Sequence, residues 1–220
     1  MRKTASTAVS VHPLLAERWS PRGFDQAHEI GGEALAALLE AARWAPSAGN
    51  SQPWRFLVTR RGEPAHDRLF AALAAGNQAW AGAASALILV AARTADDDGR
   101  PQPWALYDTG QAVAALVTQA QADGLAVHQM GGFDTDAVRA GFGLADALTP
   151  VVVLAVGRQD SAAGLPCAAG RPRGGASDQA AGQRPAAARP GRPPARWPPE
   201  RSLIPNGRVS RHPDRGGQVT

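Results

Sequence analysis

Three short stretches of this sequence carry side chains that could bind an anion and a flat polar ring. In Arg18-Trp19-Ser20-Pro21-Arg22, residues two apart point the same way on an extended turn, so two guanidiniums and a hydroxyl converge. Guanidinium forks match phosphate oxygens in paired hydrogen bonds, and the hydroxyl adds a further donor. The second stretch, Arg43-Trp44-Ala45-Pro46-Ser47-Ala48-Gly49-Asn50-Ser51-Gln52-Pro53-Trp54, sets Ser47, Asn50, Ser51 and Gln52 between two prolines and beside two tryptophans. Pro46 and Pro53 fix the backbone at both ends and push the residue before each away from helix. Short polar groups beside an aromatic wall leave room for a flat ligand such as a cofactor. The third stretch, residues 124–134, ends an extended piece in Gly131-Gly132, where missing Cβ atoms let backbone N–H groups approach a ligand. Each stretch alone also fits an ordinary role: a solvated basic turn, a helix-to-strand connection, and a Gly-Gly turn before a helix.

The elements that must position these stretches follow from hydrophobic periodicity. Residues 14–16 read as a short helix, and 33–43 as an amphipathic helix through Leu35, Leu38, Leu39 and Ala42. A strand is predicted at 54–59, a helix at 64–75 with Leu69, Phe70 and Leu73 inward, and a buried strand at 86–92. A loop at 96–101 leads to a long, mostly apolar helix at 105–122. A short extended piece at 124–129, a helix at 134–140 and a strand at 150–156 complete the pattern.

The chain has 220 residues and a net charge of +4, but the charge is unevenly placed. Residues 161–220 carry ten Arg against three acidic groups, leaving 13 basic and 16 acidic groups in residues 1–160. The basic character belongs to the C-terminal part, which also holds 10 of the 18 prolines. A domain over 1–158 followed by a Pro/Arg/Gly/Ala-rich tail over 159–220 is therefore expected. By composition the tail cannot bury enough apolar surface to offset its chain entropy. It reads either as a natural basic extension or, the favoured reading, as the product of a coding-frame shift near Arg158. Nucleic-acid binding through this tail is not expected, since Trp197 is its only aromatic residue.

Other function classes are excluded by what is missing. The N-terminus has two positive charges without an apolar run behind them, and the longest apolar run, 86–92, is too short to span a bilayer. A cytoplasmic protein is the expectation. The single cysteine, Cys167, excludes an internal disulfide, and the five histidines lack metal-ligand spacing. No Ser–His–Asp or Cys–His pairing stands out, and Gly141-Phe142-Gly143-Leu144-Ala145-Asp146 departs from a dinucleotide fingerprint at its sixth position.

The order of the motifs is more telling than any one of them. Arg18-x-Ser20-x-Arg22, Pro46-Ser47-x-x-Asn50-x-Gln52-Pro53-Trp54, Asn77-Gln78-Ala79-Trp80, the long helix through Tyr107, Gly131-Gly132-Phe133-Asp134 and the closing strand together resemble the nitroreductase family of flavin enzymes, over roughly residues 14–158. The resemblance implies an α+β fold: a mostly antiparallel sheet flanked by helices, in a homodimer with the 105–122 helix at its core. It implies FMN in a cleft at the dimer interface, with NAD(P)H as co-substrate. Hydride would pass by way of flavin N5 to nitroaromatic, quinone or related acceptors, and no protein side chain would act as a catalytic group. Arg18, Ser20 and Arg22 would hold the phosphate. Pro46, Ser47 and Asn50 would flank the isoalloxazine with Gln52 nearby, and Asn77 would bond its pyrimidine side. Gln129, Met130, Gly131 and Gly132 would line the other face, with a glycine N–H at N5. The three stretches would thus wall one site.

Two alternatives stay open: a flavin-fragmenting or dehalogenating relative on the same fold, and a flavin-binding protein with impaired or no turnover. The chain departs from the family pattern at Ala48 and Gly49, where many members carry hydroxyls. It departs again at 161–220, where nothing matches the family's C-terminal arm.

Overall fold

The computed structural model describes residues 4–160 of the chain, so the expectations for the tail lie outside the described residues. Its centre is a four-stranded sheet in the order β1-β2-β4-β3, antiparallel at every pairing. The strands are β1 (Trp54–Arg60), β2 (Ala86–Arg93), β3 (Ala126–Met130) and β4 (Leu148–Gly157). The helices are α1 (Pro13–Ala16), α2 (Gly32–Arg43), α3 (Pro64–Ala71), α4 (Ala75–Ala81), α5 (Ala105–Ala122) and α6 (Thr135–Phe142).

Side chains alternate across the sheet and so define two cores. Ile88, Val90, Leu154, Val156 and Val127 face α2 and α5, where Leu35, Leu38, Ala112, Val113, Leu116 and Val117 close the first core. Leu87, Leu89, Val153, Ala155 and Met130 face the opposite way, against Leu69, Leu73, Trp80 and Val138 from the α3, α4 and α6 layer. Strand β2 is therefore buried on both faces, which is why it reads as a continuous apolar run rather than an alternation. Pro150 sits in a central strand, where it cannot donate to the ladder. The pairing shifts register between Val90 and Ala91, the residue that faces Pro150.

The predicted helix at 64–75 is cut short. Helix α3 stops at Ala71, and Leu73 instead forms a bridge with Phe133. The amides of Asp134 and Ala74 donate to the carbonyls of Ala72 (2.8 Å) and Gly132 (3.0 Å), so pairing with the Gly-Gly turn outcompetes another helical turn. A separate helix, α4, then carries Asn77 and Trp80. Strand β3 also starts later than predicted. Gly124 adopts φ +71° beyond the end of α5, which lets the Leu125 N–H close on the Ala120 carbonyl at 2.8 Å.

Register fixes where the sheet's ends lie. Trp54 opens β1 opposite Ala92, which faces Thr149; Met130 closes β3 opposite Val153, which faces Leu89. The loop before β1 and the Gly-Gly turn after β3 thus emerge at the same end of the sheet, from its two opposite edge strands.

Candidate functional site

Between α1 and Phe24 the Arg turn runs over the surface. Arg18 is half-buried, Ser20 and Arg22 are exposed, and Pro21 is buried. Neither guanidinium makes an ion pair with a described residue. The turn is anchored through its middle: the Pro21 carbonyl lies 2.9 Å from His128 Nδ1 on β3. The His128 ring packs on Trp80 with centroids 4.4 Å apart, and Trp80 stacks on Phe24 at 6.2 Å. Burial pushes the His128 imidazole below its ordinary pKa, helped by the charge of Arg22 and opposed by the Pro21 bond. A carbonyl can only accept, so Nδ1 carries a proton and donates it to Pro21. Trp80 Nε1 is buried without a hydrogen-bond partner. A cavity of about 700 Å³ opens between residues 22–27 and α4, with Arg22, Gln78 and Trp80 on its wall.

One turn before Trp80, Asn77 donates from Nδ2 to the Gly132 carbonyl at 2.9 Å. The same carbonyl accepts the Ala74 N–H, so the Gly-Gly turn is clasped by α4. The fit is close: a Cβ on Gly132 would lie 3.2 Å from Asn77 Nδ2 and 3.4 Å from Ala74 Cβ. Gly131 faces open space, and the N–H groups of both glycines donate to no described residue. Gln129 is exposed on edge strand β3 and points away from His128, on the face that Val127 shares with α5. Met130 is 2% exposed and sunk in the second core, so its side chain faces no ligand; only its main chain can contribute.

The proline-flanked loop is built differently. Ser47 Oγ accepts the Gln52 N–H at 3.1 Å, and Gln52 Nε2 donates to Asn50 Oδ1 at 2.8 Å. Gly49, Asn50 and Gln52 all have left-handed backbones, with φ of +58°, +55° and +43°. Arg55 Nη1 donates to the Gln52 carbonyl at 3.0 Å, and the Ala48 N–H donates to Asp108 Oδ2 at 3.0 Å. Pro46 is exposed and opens the loop with Ser47 half-buried behind it.

The structure brings the Arg turn, Asn77 and the glycine pair together but leaves the loop apart. Phe24, Trp80, Met130 and Phe133 pack in the α3/α4/α6 layer, whereas Ala45 and Trp54 pack in the α2/α5 layer. Strands β1 and β3 are three strand spacings apart, on the order of 14 Å. No hydrogen bond joins residues 46–52 to residues 18–22, 77 or 129–132. Within a single chain the three stretches therefore do not wall one site, because the sheet itself stands between the layers that hold them.

Sequence reasoning missed Asp108 and the Trp80–His128–Pro21 junction. Asp108 is 3% exposed on the buried stripe of α5, among Ala105, Ala112 and Val113. A carboxylate at core spacing in an apolar helix was the available signal. Among the described residues no group of His, Cys, Asp or Glu is placed to hold a metal ion, and no helix is long and apolar enough to cross a membrane.

Comparison with known proteins agrees with this architecture. The model of the nitroreductase family matches residues 15–79 and 63–158. A stretch of 65 residues is 42% identical to YdgI of Bacillus subtilis (strain 168), named as an NAD(P)H nitroreductase, covering 30% of each chain. Another of 50 residues is 42% identical to the major NAD(P)H-flavin oxidoreductase of Aliivibrio fischeri, covering 21% of this chain and 23% of that protein. These alignments span less than a third of the curated relatives' lengths. A solved oxidoreductase containing FMN superposes with a TM-score of 0.68 at 34% identity, over 71% of this chain and 80% of its own. The chain belongs to the nitroreductase family.

Proposed function

We propose that residues 1–158 form the flavin domain of a cytoplasmic, homodimeric, FMN-dependent oxidoreductase that uses NAD(P)H to reduce nitroaromatic, quinone or related acceptors. The observation that carries this reading is the exposed Gly131–Gly132 backbone, clasped by Asn77 beside a turn whose two guanidiniums have no described partner. The residues present fit FMN. Arg18, Ser20 and Arg22 offer donors and charge for its phosphate. The remaining amide oxygen of Asn77 can accept from a ring N–H, since its Nδ2 is engaged by Gly132. The free glycine amides supply donors where negative charge develops on reduction. Gln129 would border the ring, and Met130 would contribute main chain only.

Bound FMN would supply the redox chemistry itself, taking hydride at N5 and passing reducing equivalents to the acceptor. The chain's own residues orient the ring, neutralise the phosphate and keep one face open for a flat partner. Pro46, Ser47, Asn50 and Gln52 cannot reach that ring from the same chain's loop, so a second copy would bring its loop across the dimer interface. That arrangement gives the homodimer a chemical reason.

The test is direct. Purified protein should be yellow, release flavin on denaturation, and oxidise NADH or NADPH with a quinone when FMN is in excess. Colourless protein that FMN neither binds nor stabilises would overturn the proposal. FMN binding without turnover would select the non-catalytic alternative.

A further inference from the structure

Resting on the flavin reading above, we propose that Asp108 is a positioning residue, holding the 46–52 loop in its ligand-binding shape through the Ala48 N–H. The loop has little else to define it. Pro46, Ala48, Gly49, Asn50 and Ser51 are exposed, so no core packing sets their conformation. Asn50 and Gln52 occupy the left-handed region, which asparagine tolerates but which costs a residue such as Gln52 about 1–2 kcal/mol. Such a backbone persists only when its surroundings over-determine it.

The hydrogen bonds divide into two kinds. Those from Gln52 to Ser47 and Asn50 lie inside the loop and move with it. The bonds that tie the loop to rigid structure are Arg55 to Gln52 at its end and Asp108 to Ala48 at its beginning. Arg55 is in β1, adjacent in sequence, and shares its Nη1 with the Trp54 carbonyl at 2.7 Å. Asp108 is 60 residues away, 3% exposed and in the first turn of α5, where the helix N-terminus favours a negative charge. A carboxylate buried to that degree is costly unless it is hydrogen-bonded. Its placement in an apolar stripe therefore has a reason only in what it holds. The charge-assisted bond pins Ala48 directly between Ser47 and the left-handed run, so it sets where the ligand-facing groups of Ser47 and Asn50 point.

The experiment compares full-length wild type with Asp108→Ala, Asp108→Asn and Ala48→Pro. The proline removes the donor while suiting Ser47, whose backbone is already extended at φ −145° and ψ 150°. Two readouts are taken: FMN Kd from quenching of flavin fluorescence, and amide hydrogen exchange in FMN-free protein. Asp108→Ala should weaken FMN about tenfold and speed exchange within 47–52, leaving β2 and β4 protected as in wild type. Asp108→Asn keeps an acceptor and should recover most of the affinity and the protection. Ala48→Pro should reproduce the alanine variant's loss, and combining the two should add little.

Wild-type affinity and loop exchange in Asp108→Ala would overturn the proposal. So would exchange raised equally through α5 and β2, which marks a purely structural acid. If wild type fails to bind FMN, the flavin reading falls while the exchange data still decide whether Asp108 orders the loop. If Asp108→Ala does not fold, the asparagine and proline variants carry the same decision.

Discussion

The loop at 46–52 and the cluster of Arg turn, Asn77 and glycine pair are both proposed to face the flavin, yet different forces hold them. In the cluster, Trp80 is 6% exposed between Phe24 and His128, and the Gly-Gly turn is laced to α3 and α4 by backbone bonds and the Leu73–Phe133 bridge. Its shape is a by-product of burial and shares the stability of the second core. In the loop, polar bonds hold a backbone with two non-glycine residues in the left-handed region, outside any core. Its shape can be lost one bond at a time without unfolding the sheet. Damage to the packed side chains of the cluster should therefore appear first as lost stability, and damage to the loop or to the cluster's exposed groups as lost binding.

The harshest test of that contrast is Trp80→Ala. Truncating a buried tryptophan removes packing worth about 3–5 kcal/mol. Nε1 has no hydrogen-bond partner to lose, so the whole effect is packing. Urea unfolding should show a loss in this range, and FMN affinity should fall with it as the Arg turn loosens. Stability within 1 kcal/mol of wild type would break the comparison. Arg22→Ala is gentler and more selective. The side chain is exposed and unpaired among described residues, so the melting temperature should hardly move. One charge-assisted bond to the phosphate, about 1.5–3 kcal/mol, should be lost, and FMN Kd should rise at least tenfold. An unchanged Kd in titration calorimetry would remove Arg22 from the site.

The same contrast decides what could be read from the sequence. The amphipathic helix at 33–43, the long helix at 105–122 and the buried strand at 86–92 were legible because local periodicity and tertiary burial agree there. The 64–75 segment misled because its helical pattern continues past Ala71, while the chain is captured by partners sixty residues onward at 132–134. Local patterns cannot report such pairing. At the site, the polar types and the glycine pair could be recognised, but their division between two layers could not. That division follows from strand order, β1-β2-β4-β3, which no short-range signal encodes. Asp108 escaped notice because its role depends on a loop 60 residues earlier in the chain.

The histidines offer a pH test centred on the cluster side. His28, His66 and His128 are all held below the ordinary value of 6.5, chiefly by burial. The sign follows from proton counting: below about pH 6.5 the unfolded chain binds protons that the folded chain refuses, so acid favours unfolding. The stability these sites contribute is complete above pH 6.5 and is lost as pH falls through the lowered folded values. His66 is the sharpest case, with 4% exposure and no ring nitrogen within hydrogen-bond distance of a partner, so burial outweighs the opposing pull of the Asp67 carboxylate 3.7 Å from Nδ1. His66→Leu should flatten the fall in melting temperature between pH 7 and pH 5. A profile as steep as wild type would show that the acid sensitivity lies elsewhere.

The smallest effect on stability, and the finest test of the contrast, comes from Gln52→Gly. Glycine accepts φ +43° without the left-handed penalty, which favours the folded state. Against this, it loses the side-chain bond to Asn50 and adds conformational entropy to the unfolded chain. These terms oppose one another, and the net change in unfolding free energy should stay within about 0.5 kcal/mol. Binding has no such compensation. Without Nε2, the Asn50 carboxamide loses the partner that fixes its orientation, so FMN affinity should drop several-fold at nearly constant stability. Thermal melts and flavin titrations on the same samples make the comparison internally controlled. A variant that loses stability and affinity in proportion would mean that the loop, like the cluster, draws its shape from the core.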